Sequence, residues 1–316
     1  MGVATTLARW LRPLAWATLV ANIVLVVTGG AVRLTGSGLG CPTWPRCTEA
    51  SFTPRGELTV HAAIEFGNRL LTFVLVAIAV ATFVAAWGSL RRDVRLLAFV
   101  LALGIPAQAI IGGFTVLTDL NPWVVSFHLL CSLAIIGLSV LFLHRLSHPR
   151  PVALVRGPAL VLAWLTFAAA WVVLYLGTVV TGSGPHAGDE DAVRNGLDPL
   201  QVSQLHADSV FLFLGLSIGL YFTVRSLGLP TRPLTLLLGV IVAQGTVGFV
   251  QYFTDLPILL VGFHMLGAAL VSAAVTWVLI SVREPAVAVG GGSGSVSEEA
   301  KTDPHAPLAT GQAGQR

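Results

Sequence analysis

Long apolar segments separated by short polar stretches dominate this chain. Each is about 20 residues long, the length that an α-helix needs to cross the hydrocarbon core of a bilayer. They predict eight spans, at roughly 14–33, 60–88, 96–117, 123–143, 158–180, 201–223, 234–253 and 258–281. Because the number of spans is even, both termini are expected on the same side of the membrane.

Composition and charge agree with a membrane protein and orient it. Hydrophobic residues make up 55% of the chain and charged residues only 10%, far from the balance of a soluble domain. Arginines gather at one set of span ends, at positions 9, 12, 91, 92, 95, 145, 150, 156, 225, 232 and 283. By the positive-inside rule that side is cytoplasmic. The net charge of +3 follows from this topology and indicates no nucleic-acid partner.

The chain contains an internal repeat. Residues 107–134 match residues 243–270 without a gap at a constant offset of 136, and Thr35-Gly36-Ser37-Gly38 likewise matches Thr181-Gly182-Ser183-Gly184. The repeat predicts an all-α membrane protein of two tandem, pseudo-symmetric four-helix bundles with the same orientation, residues 1–150 and 151–284. Residues 285–316 are rich in Gly, Ser, Pro and charge, which predicts a disordered cytoplasmic tail.

Four histidines fall near the predicted outer ends of alternate spans: His61, His128, His206 and His264. For any one of them, a hydrogen-bonded residue between helices is the simpler interpretation. However, ionisable groups inside a membrane are rare, and imidazole is the usual haem ligand there. Histidines on facing helices therefore predict two metalloporphyrin sites, one in each half.

Sequence distances to the arginine side rank these residues by depth. His128, His206 and His264 precede the next arginine cluster by 17, 19 and 19 residues. His61 precedes Arg91 by 30 residues, which places it about 15 Å or more farther out. Asn68, at 23 residues, is thus predicted as the equivalent of His206. Counting from the preceding prolines favours His61 instead, so both alternatives stand.

The two predicted sites are therefore not equivalent. The C-terminal half has a complete pair, His206 and His264, which would saturate a haem iron and suits electron transfer or structure. The N-terminal half pairs His128 with Glu65, Asn68 or His61. A site that lacks one strong ligand can admit a substrate.

An acidic residue and an arginine accompany the N-terminal site. Glu65 lies in an apolar span on the same predicted face as His61 and Asn68. A carboxylate within a membrane is costly and by default functional, so Glu65 is predicted to have a functional role. The simpler alternative is an ion pair with Arg69, four residues on. Arg69 or Arg33 could instead bind a porphyrin propionate.

Two cysteines, Cys41 and Cys47, follow the first span on the predicted outer side. A disulfide persists in such an oxidising compartment. A structural brace and a redox role explain the pair equally well. Cys131, inside the fourth span, is predicted to be a packing residue.

Taken together, TGSGLGCPTWPRC after the first span, IEFGNR in the second, the repeated Thr-Asp-Leu elements and the histidines of the fourth, sixth and eighth spans resemble the haem A synthase family. The resemblance covers residues 14–282 and looks most like the actinobacterial branch. It implies a plasma-membrane enzyme that oxidises the C8 methyl group of haem O to a formyl group. The product, haem A, would serve cytochrome c oxidase.

The resemblance also implies roles for particular residues. His206 and His264 would ligate a haem b cofactor, and His128 would ligate the substrate haem O. Glu65 matches the family's essential acid in a Glu-x-x-His-Arg pattern, from which this chain departs by having Asn68 in place of histidine. The second ligand of the substrate haem would then be His61, Asn68 or water. Together with Arg69, these residues are the candidates for substrate binding.

The resemblance implies partners as well, namely haem O, membrane lipid, the haem O synthase (protohaem farnesyltransferase) that makes haem O, an electron acceptor and further copies of the chain. Cys41 and Cys47 match the family's cysteine pair, which acts in redox coupling or loop bracing. Successive two-electron oxidations with water as the oxygen source are predicted, with oxygen-activating hydroxylation as the alternative.

One function from a different class uses the same histidines. A di-haem b-type electron-transfer protein, or a quinol-linked cytochrome subunit, would also need paired imidazoles in the membrane. Glu65 and the asymmetry of the N-terminal site argue against it. A transporter with parallel repeats is a weaker alternative, because Asp119 and Asp255 lie at loop ends.

Overall fold

The computed structural model describes residues 9–54, 59–148 and 157–283. Within these ranges the chain forms eight α-helices: α1 (Leu11–Leu34), α2 (Val60–Trp87), α3 (Arg92–Leu117), α4 (Pro122–Ser147), α5 (Pro158–Ser183), α6 (Pro199–Ser226), α7 (Arg232–Phe253) and α8 (Ile258–Arg283). All eight are long and apolar enough to cross a membrane. The prediction of an all-α, multi-pass membrane protein is confirmed. The predicted tail, 285–316, and the boundary between the halves at 150 lie outside the described residues.

Several helices extend beyond their predicted apolar spans. For example, α3 begins at Arg92 rather than at 96, and α4 ends at Ser147 rather than at 143. The apolar pattern marks only the hydrocarbon core, whereas backbone hydrogen bonds continue into the polar region. Long basic side chains can extend from such helix ends towards water.

Local sequence explains where helices begin. Prolines occupy the first position of α4, α5 and α6, where the missing N–H would have no helical partner. The residues before two of these prolines are caps. Asn121 accepts the N–H of Trp123 at 3.0 Å, and Asp198 accepts that of Leu200 at 2.9 Å.

The repeated Thr-Asp-Leu element forms the same turn in both halves. Asp119 and Leu120 have φ angles of 50° and 58°, and Asp255 and Leu256 have 58° and 57°. In each turn the leucine N–H donates to the carbonyl five residues earlier at 2.8 Å. Left-handed residues that satisfy the last carbonyls terminate a helix. The sequence repeat is therefore also a repeat of backbone geometry.

Each half packs as a ring of four helices. In the first half α1 contacts α2, α2 contacts α3, α3 contacts α4 and α4 contacts α1; helices α5 to α8 repeat this arrangement. The halves meet where α8 packs against α1 and α4, and where α4 packs against α5. This is the tandem arrangement predicted from the repeat.

Small side chains bring the halves close together. Ser272 of α8 donates its hydroxyl hydrogen to the carbonyl of Leu133 in α4 at 2.7 Å. A Cβ on Gly137 of α4 would lie only 2.8 Å from Oγ1 of Thr276 in α8. Small residues and hydrogen bonds of this kind hold helices together in lipid. As a result, a side chain from one half can reach the other.

The helix bundle has two distinct ends. We call one the histidine end; it carries the connections between α1 and α2, α3 and α4, α5 and α6, and α7 and α8. His128 and His264 are each the seventh residue of their helix counted from this end. We call the opposite end the arginine end; it carries Arg91, Arg145, Arg225 and Arg283.

Candidate functional site

Two histidines face each other inside the C-terminal half. His206 is the eighth residue of α6, and His264 is the seventh residue of α8. Their ring centroids lie 6.4 Å apart, with 74° between the ring planes. This separation leaves room for one metal ion between the rings, because nitrogen–metal bonds are about 2.0–2.1 Å long. The Nδ1 atom of each ring is buried.

A glycine on a neighbouring helix makes room for each of three imidazole rings. The distances from a Cβ built on the glycine to ring Cε1 are 3.2 Å for Gly177 and His206, 3.1 Å for Gly248 and His264, and 3.3 Å for Gly112 and His128. Any side chain at these glycines would press on the ring. The sequence repeat matches Gly112 with Gly248. That these glycines border the imidazole rings was not predicted from the sequence, although their matching positions relative to the two histidines could have indicated it.

A glutamine binds the backbone at two of the histidines. Nε2 of Gln244 donates to the carbonyl of His264 at 2.7 Å. In the other half, Nε2 of Gln108 donates to the carbonyl of His128 at 3.2 Å and also to the hydroxyl of Ser132. His128 and His264 therefore have the same kind of hydrogen-bonded neighbour. The sequence alone shows that the two glutamines occupy matching positions, but it does not show these hydrogen bonds.

The N-terminal half does not bring a second histidine to His128. Asn68 is the ninth residue of α2, and its Oδ1 accepts the hydroxyl hydrogen of Thr28 at 2.8 Å. His61 is the second residue of α2 and is exposed, with Nδ1 lying 3.0 Å from Oγ of Ser37. Within the described ranges, neither residue forms a hydrogen bond or ring contact with His128. The second ligand of this site stays a prediction.

Glu65 is buried, with only 5% of its surface exposed, and both of its oxygens are bound. Oε1 accepts from Nε and Nη2 of Arg69 at 3.1 and 2.6 Å. Oε2 accepts the N–H of Cys41 at 2.5 Å. The ion pair predicted as the simpler alternative is thus present, and the carboxylate also supports the segment after α1. The catalytic role of Glu65 stays a prediction.

Arg69 attaches this segment to α2. Its guanidinium donates to the carbonyls of Cys41, Thr43 and Arg46 at 2.9, 3.2 and 3.2 Å. Cys41 and Cys47 form the predicted disulfide, and both are buried. Because Arg69 is occupied by Glu65 and by these carbonyls, a propionate would have to displace some of its contacts. Its predicted role in substrate binding is untested.

These residues fit a haem better than a metal ion held by side chains alone. Among the described residues, no three His, Cys, Asp or Glu side chains form a group that could hold a metal ion. A porphyrin itself supplies four nitrogens to iron, so that two histidines complete the coordination. The separation of the two rings and the glycine gaps beside them agree with such a group.

Replacing Gly248 with alanine should weaken haem binding about 10-fold, because the new Cβ would lie 3.1 Å from Cε1 of His264 and displace the ring. Absorbance titration of the purified protein measures this affinity. Gly245→Ala on the same helix is the matched control, since nothing lies within 4 Å of its added Cβ. If the two variants bind haem with equal affinity, the prediction that Gly248 makes room for the ligating ring is wrong.

Comparison with known proteins places this arrangement in a family. Residues 12–188 match the family model COX15-CtaA, described as cytochrome oxidase assembly protein. The chain is 35% identical to the heme A synthase of Lysinibacillus sphaericus over 123 residues, which are 38% of this chain and 39% of the relative. It is 25% identical to that of Staphylococcus epidermidis over 211 residues, 60% of this chain and 68% of the relative. The first match thus spans less than half of the relative's length. The family match covers more than half of this chain, which therefore belongs to the COX15-CtaA family of cytochrome oxidase assembly proteins.

Proposed function

We propose that this protein is a haem A synthase, which oxidises the C8 methyl group of haem O to a formyl group and so provides haem A for cytochrome c oxidase. The observation that carries this proposal is the facing pair of His206 and His264 in one half beside the single His128 in the other. The family and the names of the relatives support it. Placement in the actinobacterial branch is a further prediction.

In this proposal, His206 and His264 hold a haem b cofactor, and His128 binds the iron of haem O. A haem with two imidazole ligands supplies electron transfer at an iron without an open position. Asn68, His61 or water completes the substrate site. Because His61 lies seven residues before Asn68, it is about 10 Å nearer the histidine end. For His61 to reach the level of Asn68, the first turns of α2 would have to unwind.

Glu65 is the proposed catalytic residue. With water as the oxygen source, conversion of a methyl to a formyl group releases four protons and four electrons. A carboxylate in the substrate half can accept a proton or stabilise positive charge that develops at the methyl carbon. Arg69 and the N–H of Cys41 bind the two oxygens of Glu65.

We propose that the protein lies in the plasma membrane with the arginine end and both termini in the cytoplasm. The positive-inside rule supports this orientation. The disulfide between Cys41 and Cys47 follows α1 at the histidine end, which would then face the oxidising side. Haem O synthase, an electron acceptor and further copies of the chain are proposed partners.

The deciding experiment is chromatography of haems extracted from cells that make haem O, with and without this protein. We expect haem A only in cells that contain it. The control is His128→Ala, which should leave the cells with haem O. If haem O is unchanged while the purified protein carries b-type haem, the proposal is wrong and the di-haem electron carrier gains support.

A further inference from the structure

Arg33 and Arg194, at the histidine end, have no carboxylate ion-pair partner within the described ranges, where the ion pairs are Glu65–Arg69 and Arg91–Asp93. Arg33, near the end of α1, donates from Nε to the carbonyl of His186 at 2.7 Å and from Nη2 to that of Thr181 at 2.8 Å. Arg194 donates to two carbonyls of its own loop at 2.5 and 2.8 Å. Since carbonyls carry no net charge, neither guanidinium is neutralised by these direct contacts.

The loop between α5 and α6 brings these two charges together. Its residue His186 lies outside the helices, and its pKa is lowered by burial and then by the positive charges of Arg33 and Arg194. The loop is held against the end of α1, because the carbonyl of Gly188 accepts the N–H of Gly38 at 2.8 Å. Two guanidinium groups without an ion-pair partner therefore lie near each other where the two halves meet.

Arg33 also lies close to the histidine pair of the C-terminal half. Its Nη2 binds the carbonyl of Thr181, and Gly177, four residues earlier in α5, is the glycine that borders the ring of His206. Four residues of α-helix rise about 6 Å. The carbonyl that Arg33 binds is thus about one helical turn nearer the histidine end than the ring of His206.

We infer that Arg33, a residue of the N-terminal half, binds a propionate of the porphyrin held by His206 and His264 in the C-terminal half. The inference rests on the haem site of the proposed function. A carboxylate is the natural ligand for an uncompensated guanidinium, because charge-assisted hydrogen bonds are about twice as strong as neutral ones. Arg194 adds positive charge to the same region. The cofactor site is then complete only when both halves are packed together.

The shared chemistry of the ligand is an anionic oxygen, which a lipid phosphate could also provide. To distinguish the two, full-length protein in detergent is loaded with haem b or with haem b dimethyl ester, whose propionates are uncharged. We expect the wild type to bind haem b about 10-fold more tightly than the ester. Arg33→Gln should bind both equally, and Arg33→Lys should keep part of the preference. Absorbance titration measures binding without turnover.

Arg225→Gln is the matched control, because Arg225 lies on α6 with His206 but is exposed at the arginine end. It should keep the wild-type preference for haem b. The inference would be overturned if Arg33→Gln kept the wild-type preference for haem b, or if it weakened the binding of haem b and of the ester by the same factor. It would also be overturned if the wild type showed no preference and its haem affinity depended instead on added phospholipid. Failure of the proposed function would give a different result: cells would lack haem A, while the purified wild type would still prefer haem b to the ester.

Discussion

Replacing His264 with alanine should remove the cofactor haem from the purified protein. The ring is one of two imidazoles facing each other at 6.4 Å between centroids, and His206 alone would leave one side of the iron without its ligand. Loss of a residue that merely supports a ligand costs about 10–100-fold in metal affinity, so loss of the ligand itself should cost more. The helix should remain in place, since the side chain of Gln244 binds the backbone carbonyl of His264, which the substitution retains. The haem absorbance of the purified protein, relative to its protein content, measures the effect.

His128→Ala is the matched control for this prediction. His128 occupies the corresponding position in α4, with the same glutamine and glycine neighbours. It should retain haem b, and it should differ from the wild type only in lacking the absorbance change that added haem O causes. If both variants lose haem b to the same degree, or if His264→Ala keeps it, the assignment of the cofactor to the C-terminal half is wrong.

Replacing Glu65 with glutamine should stop haem A formation while the cofactor haem is retained. Glutamine keeps the size of the side chain and an oxygen that can accept the N–H of Cys41, but it lacks the charge that pairs with Arg69. Loss of a general acid or base lowers a rate by about 10²–10⁴-fold. Cells with this variant should accumulate haem O or a hydroxylated intermediate, which chromatography of extracted haems separates.

A structural role for Glu65 makes a different prediction. If the carboxylate serves only to brace the segment of Cys41 and Cys47, then a variant that weakens the bracing should lose as much activity. Arg69→Lys is suited to this comparison, because lysine keeps a positive charge for Glu65 but lacks the fork that binds the carbonyls of Cys41, Thr43 and Arg46. We expect it to make haem A. Wild-type haem A in Glu65→Gln, or equal loss in both variants, would contradict a catalytic Glu65.

The sequence by itself determined the membrane fold and the depth of its polar residues. Apolar length defines a span, because every backbone polar group in lipid must be paired within a helix. The repeat offset of 136 residues is enough to relate His128 to His264. The ion pair of Glu65 with Arg69 was foreseeable in the same way, since residues four apart lie on one face of a helix.

Only the tertiary structure decided which side chains meet across helices. The 6.4 Å approach of His206 to His264 depends on how α6 and α8 are rotated within the second bundle. The N–H of Cys41 reaches Glu65 and Arg33 reaches the loop after α5 because particular helix ends are neighbours. Hydrophobic length fixes how deep a residue lies, but rotation about the helix axis and the choice of neighbour follow from packing against other helices.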